Sequence, residues 1–131
     1  MVVLLVLDST VLIDHLRGRP AASRILALLD RGVSPATTAI NVEEIVRGLR
    51  RTERDVAEQL FRGLVVLPVT EEAAWLAGTW RREFAERGQT LWQADCLIAA
   101  TTVGAGAPLA TGNPKDFPMT ELEVQHWPVG E

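Results

Sequence analysis

Carboxylates are the residues of this chain whose placement invites a chemical explanation. Asp8 closes an unbroken apolar run, Val2 to Leu7, where a chain usually places another hydrophobic residue. Asp95 is the only formal charge between Arg87 and Lys115, in a stretch that is otherwise apolar or neutral. A carboxylate buried without a partner costs several kcal/mol or takes up a proton instead. Asp95 therefore calls for an arginine, several N–H donors or a metal ion. Glu43 and Glu44 stand side by side off the apolar stripe of their segment, and either could be a favourable first-turn acid. Gly48, one turn beyond Glu44, weakens a helix by about 1 kcal/mol and suggests close approach by another group. Asn113 and Asp116 bracket the turn Gly112-Asn113-Pro114. Oxygen-only donors of this kind suit hard cations such as Mg²⁺ or Mn²⁺. His15 and His126 have no second His or Cys at zinc spacing. The chain also lacks a serine nucleophile elbow and a phosphate-cradling glycine loop.

Such acids act together only if the fold collects them. Val2 to Leu7 reads as a strand buried on both faces. Ser9 is expected to N-cap a helix through Leu12 and Leu16 to Gly18. Pro20 opens the next helix, with Ala22, Ile25, Leu26 and Leu29 at helical spacing and a stop at Gly32. Val33 to Thr38 is a short strand and loop. Val42, Ile45, Val46 and Leu49 form one amphipathic stripe; Val56, Leu60 and Leu64 form another after a cap at Thr52. Leu64 to Val69 is a second strong strand. Thr70 caps a long helix carrying Ala73, Leu76, Ala77, Trp80 and Phe84, stopped at Gly88. Gln93 to Val103 is apolar nearly all round and reads as a central helix. Pro108 to Thr111 and Leu122 to Gln125 are short strands, the latter at an edge. Strands alternating with helices imply an α/β fold, a mostly parallel central sheet with helices on both faces, in a single domain spanning 1–131. Ligands of such sheets bind beyond the carboxyl ends of the strands, which is where Asp8 stands.

The 131 residues suffice for one packed core, and 47% hydrophobic with 23% charged residues is an ordinary globular balance. The single cysteine, Cys96, excludes an internal disulfide and reads as inert core. No apolar stretch approaches the ~20 residues of a bilayer span, and the start lacks a basic leader region, so the protein is read as cytosolic. Net charge is −4, which does not by itself suggest a nucleic-acid binder. Its basic charge is nevertheless almost all arginine, clustered at Arg47, Arg50, Arg51 and Arg54 and at Arg81, Arg82 and Arg87. Guanidinium forks match phosphates bidentately. Trp80 lies on a core stripe; Trp75, Trp92 and Trp127 are expected to serve packing or interfaces before base stacking.

Four segments carry a family resemblance. Leu7-Asp8-Ser9-Thr10-Val11-Leu12-Ile13 resembles the opening motif of PIN-domain nucleases, and Glu44-Ile45-Val46-Arg47-Gly48 resembles their second. Ala94-Asp95-Cys96-Leu97-Ile98-Ala99-Ala100 is very similar to the third, and Pro108 to Phe117 is similar to the fourth. Order and spacing hold over essentially the whole chain, and at this length the chain looks like the VapC toxins of type II toxin–antitoxin pairs. The resemblance implies a PIN-like fold and a Mg²⁺-dependent endoribonuclease, with Mn²⁺ as a substitute. It also implies an RNA substrate, a VapB-type antitoxin and a homodimer. It selects Glu44 over Glu43 and makes Asp8, Glu44 and Asp95 the catalytic and metal-binding acids; the fourth position falls to Asn113 or Asp116, with Asn113 expected to line the site as a neutral group and Asp116 to matter less. Ser9 and Thr111 would orient ligands or substrate. In two places the chain departs from the family's pattern. Asn113 stands where many members carry a fourth acid, and Gly112 where many carry arginine. A rival reading is a haloacid-dehalogenase-like phosphatase, but that chemistry wants a second Asp where Thr10 stands. Another is a PIN-like module that binds RNA or protein without cutting, which the retained acids oppose.

Overall fold

A computed structural model describes residues 2–18 and 21–130. Five strands, β1 (Val3–Leu7), β2 (Val33–Thr38), β3 (Val65–Leu67), β4 (Leu109–Thr111) and β5 (Val124–His126), form one sheet in the order β3-β2-β1-β4-β5. Every pairing is parallel, so the sheet is wholly rather than mostly parallel. Among the described residues six α-helices surround it: α1 (Ser9–Leu16), α2 (Ala21–Asp30), α3 (Ala39–Arg47), α4 (Arg54–Arg62), α5 (Glu71–Glu86) and α6 (Gln93–Gly104).

The central strand explains why both faces need helices. Along β1, Val6 points into one core, with Ala73, Ala77, Trp80 and Phe84 of α5 and Cys96, Ile98 and Ala99 of α6. Leu5 and Leu7 point into the other, with Val11 and Leu12 of α1, Ala21, Ile25 and Leu28 of α2, and Ile45 of α3. Strand alternation thus splits one apolar run between two cores. From β1 the chain passes to β2 on one side, while β4 pairs on the other. The crevice beyond the carboxyl ends of β1 and β4 is the switch point at which such sheets take ligands.

Several expected details fall differently. Asp8, not Ser9, is the N-cap residue of α1, and its side chain makes no capping bond. The proposed start at Pro20 lies outside the described residues. Leu28, rather than Leu26 and Leu29, faces the core from α2; the other two are well exposed. In α3 the buried positions are Asn41 and Ile45, with Val46 exposed, because the helix begins at Ala39 and its face is rotated from the expected stripe. That earlier start takes Glu43 and Glu44 out of the first turn. Gly48 is the C-cap residue of α3, and a Cβ there would meet only backbone oxygens at 3.8 Å, so no other group crowds it. Thr52 sits inside a 3₁₀ turn (Arg51–Glu53), and Ala57, not Val56, is the buried residue of α4. The strand expected over Leu64–Val69 shrinks to three half-exposed edge residues. The last strand is offset by its pairing with β4, in which Thr111 faces His126. Trp127 packs in a core, whereas Trp75 and Trp92 are not packed within the chain. Cys96 is fully buried, and burial pushes its thiol above the usual range, as suits an inert core residue.

One buried carboxylate is structural. Asp14 accepts the backbone N–H of Ala21 at 3.1 Å and that of Gly130 at 3.0 Å. It thereby satisfies the first amide of α2 and pins the segment after Trp127 against α1. Asp14→Ala leaves both amides without their acceptor and should lower stability by about 2 kcal/mol. Urea unfolding checks this, and an unchanged midpoint would contradict it.

Candidate active site

Asp8 leaves the sheet at the carboxyl end of β1 and is buried. Its backbone amide stays tied to β4 through Ala110 O at 2.9 Å. Burial pushes its carboxyl above the usual range, against the opposing pull of its hydrogen bonds. Thr111, at the end of β4, donates Oγ1–H to Asp8 Oδ2 at 2.7 Å. Asn41, in the first turn of α3, donates Nδ2–H to Asp8 Oδ1 at 3.2 Å. Each oxygen of the carboxylate thus has a donor from a different neighbour.

The orientation of Asn41 follows from how α3 begins. Thr38 and Asn41 form a reciprocal capping box: Asn41 N–H donates to Thr38 Oγ1 at 3.3 Å, and Thr38 N–H donates to Asn41 Oδ1 at 3.3 Å. With Oδ1 turned to the backbone, the amide must present Nδ2 to Asp8. The same Nδ2 reaches Ser9 Oγ at 2.9 Å, and Ser9 donates to Glu44 Oε1 at 2.7 Å. Glu44 lies one turn after Asn41 on α3, so the box also sets the turn that carries the second acid. On the other side, Asn113 N–H donates to Thr111 Oγ1 at 3.0 Å, and Asn113 Nδ2 donates to Asp116 Oδ2 at 3.1 Å. A continuous hydrogen-bond line therefore runs from Asp116 through Asn113, Thr111, Asp8, Asn41 and Ser9 to Glu44.

Asp95 stands apart from this line. It is half-buried at the third position of α6 and has neither hydrogen bond nor cation partner among the described residues. Its carboxyl is pushed up to about 6, first by burial and then by the charges of Asp116, Asp8 and Glu44. The sequence-predicted acids thus share one electrostatic space at the switch point. Ser9 and Thr111 hold Glu44 and Asp8 respectively. Glu43 is exposed and outside the network.

Sequence reasoning missed Asn41, Thr38 and Thr10. Thr10 Oγ1 accepts the amide of Gly112 at 2.9 Å and lies 3.4 Å from Asp8 Oδ2. The available signal for Asn41 was the Thr-x-x-Asn spacing at the start of an apolar helix, a variant of the capping-box pattern. Gly112 also has a reason. A Cβ there would lie 2.9 and 3.0 Å from the two methyls of Val129 and 3.4 Å from Thr10 Oγ1. A larger side chain at 112 therefore requires the Val129 side chain to shift.

The donors fit a hard divalent cation in kind. All are oxygens, and Asp95 lacks the positive partner that its surroundings call for. Among the described residues no three of these acids are drawn into a closed metal cage.

The PIN-domain family profile matches residues 5–120, and the chain belongs to that family. Within it, the chain is 36% identical over 114 residues to Ribonuclease VapC19 of Mycobacterium tuberculosis, covering 86% of this chain and 91% of that one. It is 35% identical over 118 residues to Ribonuclease VapC10 of the same organism, covering 90% and 89%. Its fold superposes on a chain of the DNA-bound VapBC structure from Salmonella typhimurium with a TM-score of 0.81. That match has 24% identity and covers 97% of this chain and 99% of the other.

The raised carboxyl of Asp95 makes stability depend on pH. Below about pH 3.8 Asp95 is protonated folded or unfolded and carries no penalty; above about 6 it is ionised in both states and the fold bears the cost of burial and of repulsion in full. Its contribution therefore turns unfavourable as pH rises through that window. Metal-free Asp95→Asn should melt above wild type at about pH 7.5, with the difference vanishing at about pH 3.5. Calorimetry decides, and a variant less stable than wild type at the higher pH would contradict the arrangement.

Proposed function

We propose that this chain is the toxin of a type II toxin–antitoxin pair, a Mg²⁺-dependent endoribonuclease that arrests growth until its antitoxin covers the site. The observation that carries the reading is the hydrogen-bond line joining Asp8, Glu44 and Asp116, with Asp95 under the charge of all three and, among the described residues, no cationic side chain bonded to any of them. Homology to proteins named Ribonuclease VapC supports the chemistry. The fold shared with a VapBC complex supports a VapB-type partner. PIN-domain nucleases use a divalent metal in general; Mg²⁺, replaceable by Mn²⁺, is our assignment from the all-oxygen donors.

Asp8, Asp95 and Glu44, directly or through water, would hold the metal. When bound, such an ion supplies Lewis acidity to ionise a water and to neutralise charge developing on the scissile phosphate. The chain's own groups do the positioning. Thr111 and Asn41 keep the Asp8 carboxylate from rotating, and Ser9 holds Glu44 toward the crevice. Asp116 is the charge that acts most strongly on Asp95, while Asn113 spends its amide on Asp116. Asp116, rather than Asn113, is therefore the fourth acid of this proposal, and Asn113 its support.

The acidic crevice also suits inhibition by an inserted cation. An arginine from the antitoxin would find several carboxylates in bidentate reach and exclude the metal. The protein is proposed to act in the cytoplasm as a homodimer. Among the described residues no helix is long and apolar enough to cross a membrane.

Cleavage of RNA should cease in excess EDTA and return with Mg²⁺. Asp8→Asn and Asp95→Asn should each lower kcat/KM at least about a thousandfold, the several kcal/mol that a misplaced metal forfeits. Glu44→Gln should be far more damaging than Glu43→Gln, and Asp116→Asn more than Asn113→Ala. Undiminished cleavage in EDTA, or equal losses at Glu43 and Glu44, would contradict the proposal.

A further inference from the structure

Two tryptophans are left open to solvent, and they differ in a way that assigns one of them. Trp75 lies within α5 and donates its indole N–H to Glu71 Oε2 at 3.3 Å, so its polar edge is engaged beside a carboxylate. Trp92 is the N-cap residue of α6, 73% exposed, and its indole N–H has no partner among the described residues. Its backbone carbonyl accepts Cys96 N–H at 3.1 Å, which fixes it to the first turn of the helix that carries Asp95. N-cap and third positions are neighbours on one side of a helix end, the pairing that a capping box uses. An unpacked indole therefore stands at the same helix end as Asp95, three residues before it.

We propose that Trp92 is the base-binding residue of the nuclease, stacking on a nucleobase next to the scissile phosphate. The inference rests on the ribonuclease reading above. It is favoured by what the chain lacks as well as by what it has. Net charge is −4 and the crevice is acidic, so phosphate attraction is a weak source of affinity here. Stacking on an exposed aromatic does not depend on charge and accepts any base. A cation stands close by: Arg81 donates Nε–H to Leu91 O at 3.3 Å, and its remaining N–H groups have no other partner among the described residues. The pair Trp92 and Arg81 thus offers a flat apolar face and a phosphate fork at the start of the helix that carries Asp95.

The test uses a single-stranded RNA that the wild-type protein cuts in Mg²⁺, together with copies carrying one abasic residue at each position flanking the cut. Trp92→Ala should raise KM about tenfold or more, a loss within the range of one base–aromatic stack, with kcat changed less than about twofold. Trp92→Phe should recover most of the loss. In wild type one abasic position should produce a comparable rise in KM, and that same position should make no further difference in Trp92→Ala. Unchanged KM in Trp92→Ala, or abasic losses that simply add to it, would overturn the assignment. So would a sedimentation shift to a smaller species in Trp92→Ala that accounts for its entire loss, which would make the indole a contact with a second copy of the chain. Failure of the wild type to cut any RNA would overturn the ribonuclease reading and this one with it, whereas cutting by wild type and Trp92→Ala alike overturns this one alone.

Discussion

A carboxylate withdrawn from water at the end of a hydrophobic strand has to be given hydrogen bonds, and Asp8 receives them from elements far apart in sequence. Thr111 comes from the strand on one side of β1, and Asn41 from the helix that follows the strand on the other. Because each donor is itself held, Thr111 by the pairing of β4 with β5 and Asn41 by its capping box with Thr38, the Asp8 oxygens are fixed in direction. From that point the network extends to Glu44 through Ser9 and to Asp116 through Asn113. Loss of the clamp would free the carboxylate to turn and unlink both arms.

The same crevice is a place where folding and function oppose each other. Asp95 sits among the charges of Asp116, Asp8 and Glu44 with no cation bonded to it among the described residues, a cost that the two packed cores around the sheet must offset. A site that repels its own charges is poised to accept a cation, whether a metal ion during turnover or a guanidinium from an inhibitor. The perturbed carboxyl is thus a feature of the binding chemistry and a weakness of the empty protein at once.

Much of this was legible from the sequence, and the reasons differ by residue. The buried strand ending at Asp8 and the lone charge in the α6 segment stood out because each breaks a hydrophobic pattern. The long α5 stripe of Ala73, Ala77, Trp80 and Phe84 was plain from its period. Helix α3 was harder: its start is written in the Thr38–Asn41 box, with Asn where the familiar pattern has Glu or Gln, so the apolar stripe alone placed the start too late. On α2 and α4, choosing Leu26 and Val56 over Leu28 and Ala57 reflects how weakly hydrophobicity fixes the rotation of a short helix. Asn41 was invisible as a site residue because its contact with Asp8 spans 33 positions, which no local pattern encodes.

The central claim is that these acids direct a water, through a bound divalent metal, in line at an RNA phosphate. The chemistry of the cut ends tests it most directly, because a water nucleophile and the ribose 2′-hydroxyl leave different products. RNA cleaved by the purified protein in Mg²⁺ should carry 5′-phosphate and 3′-hydroxyl ends, read by ligation and by mass spectrometry. Products ending in a 2′,3′-cyclic phosphate and a 5′-hydroxyl would show internal attack by the substrate's own hydroxyl and would contradict the account.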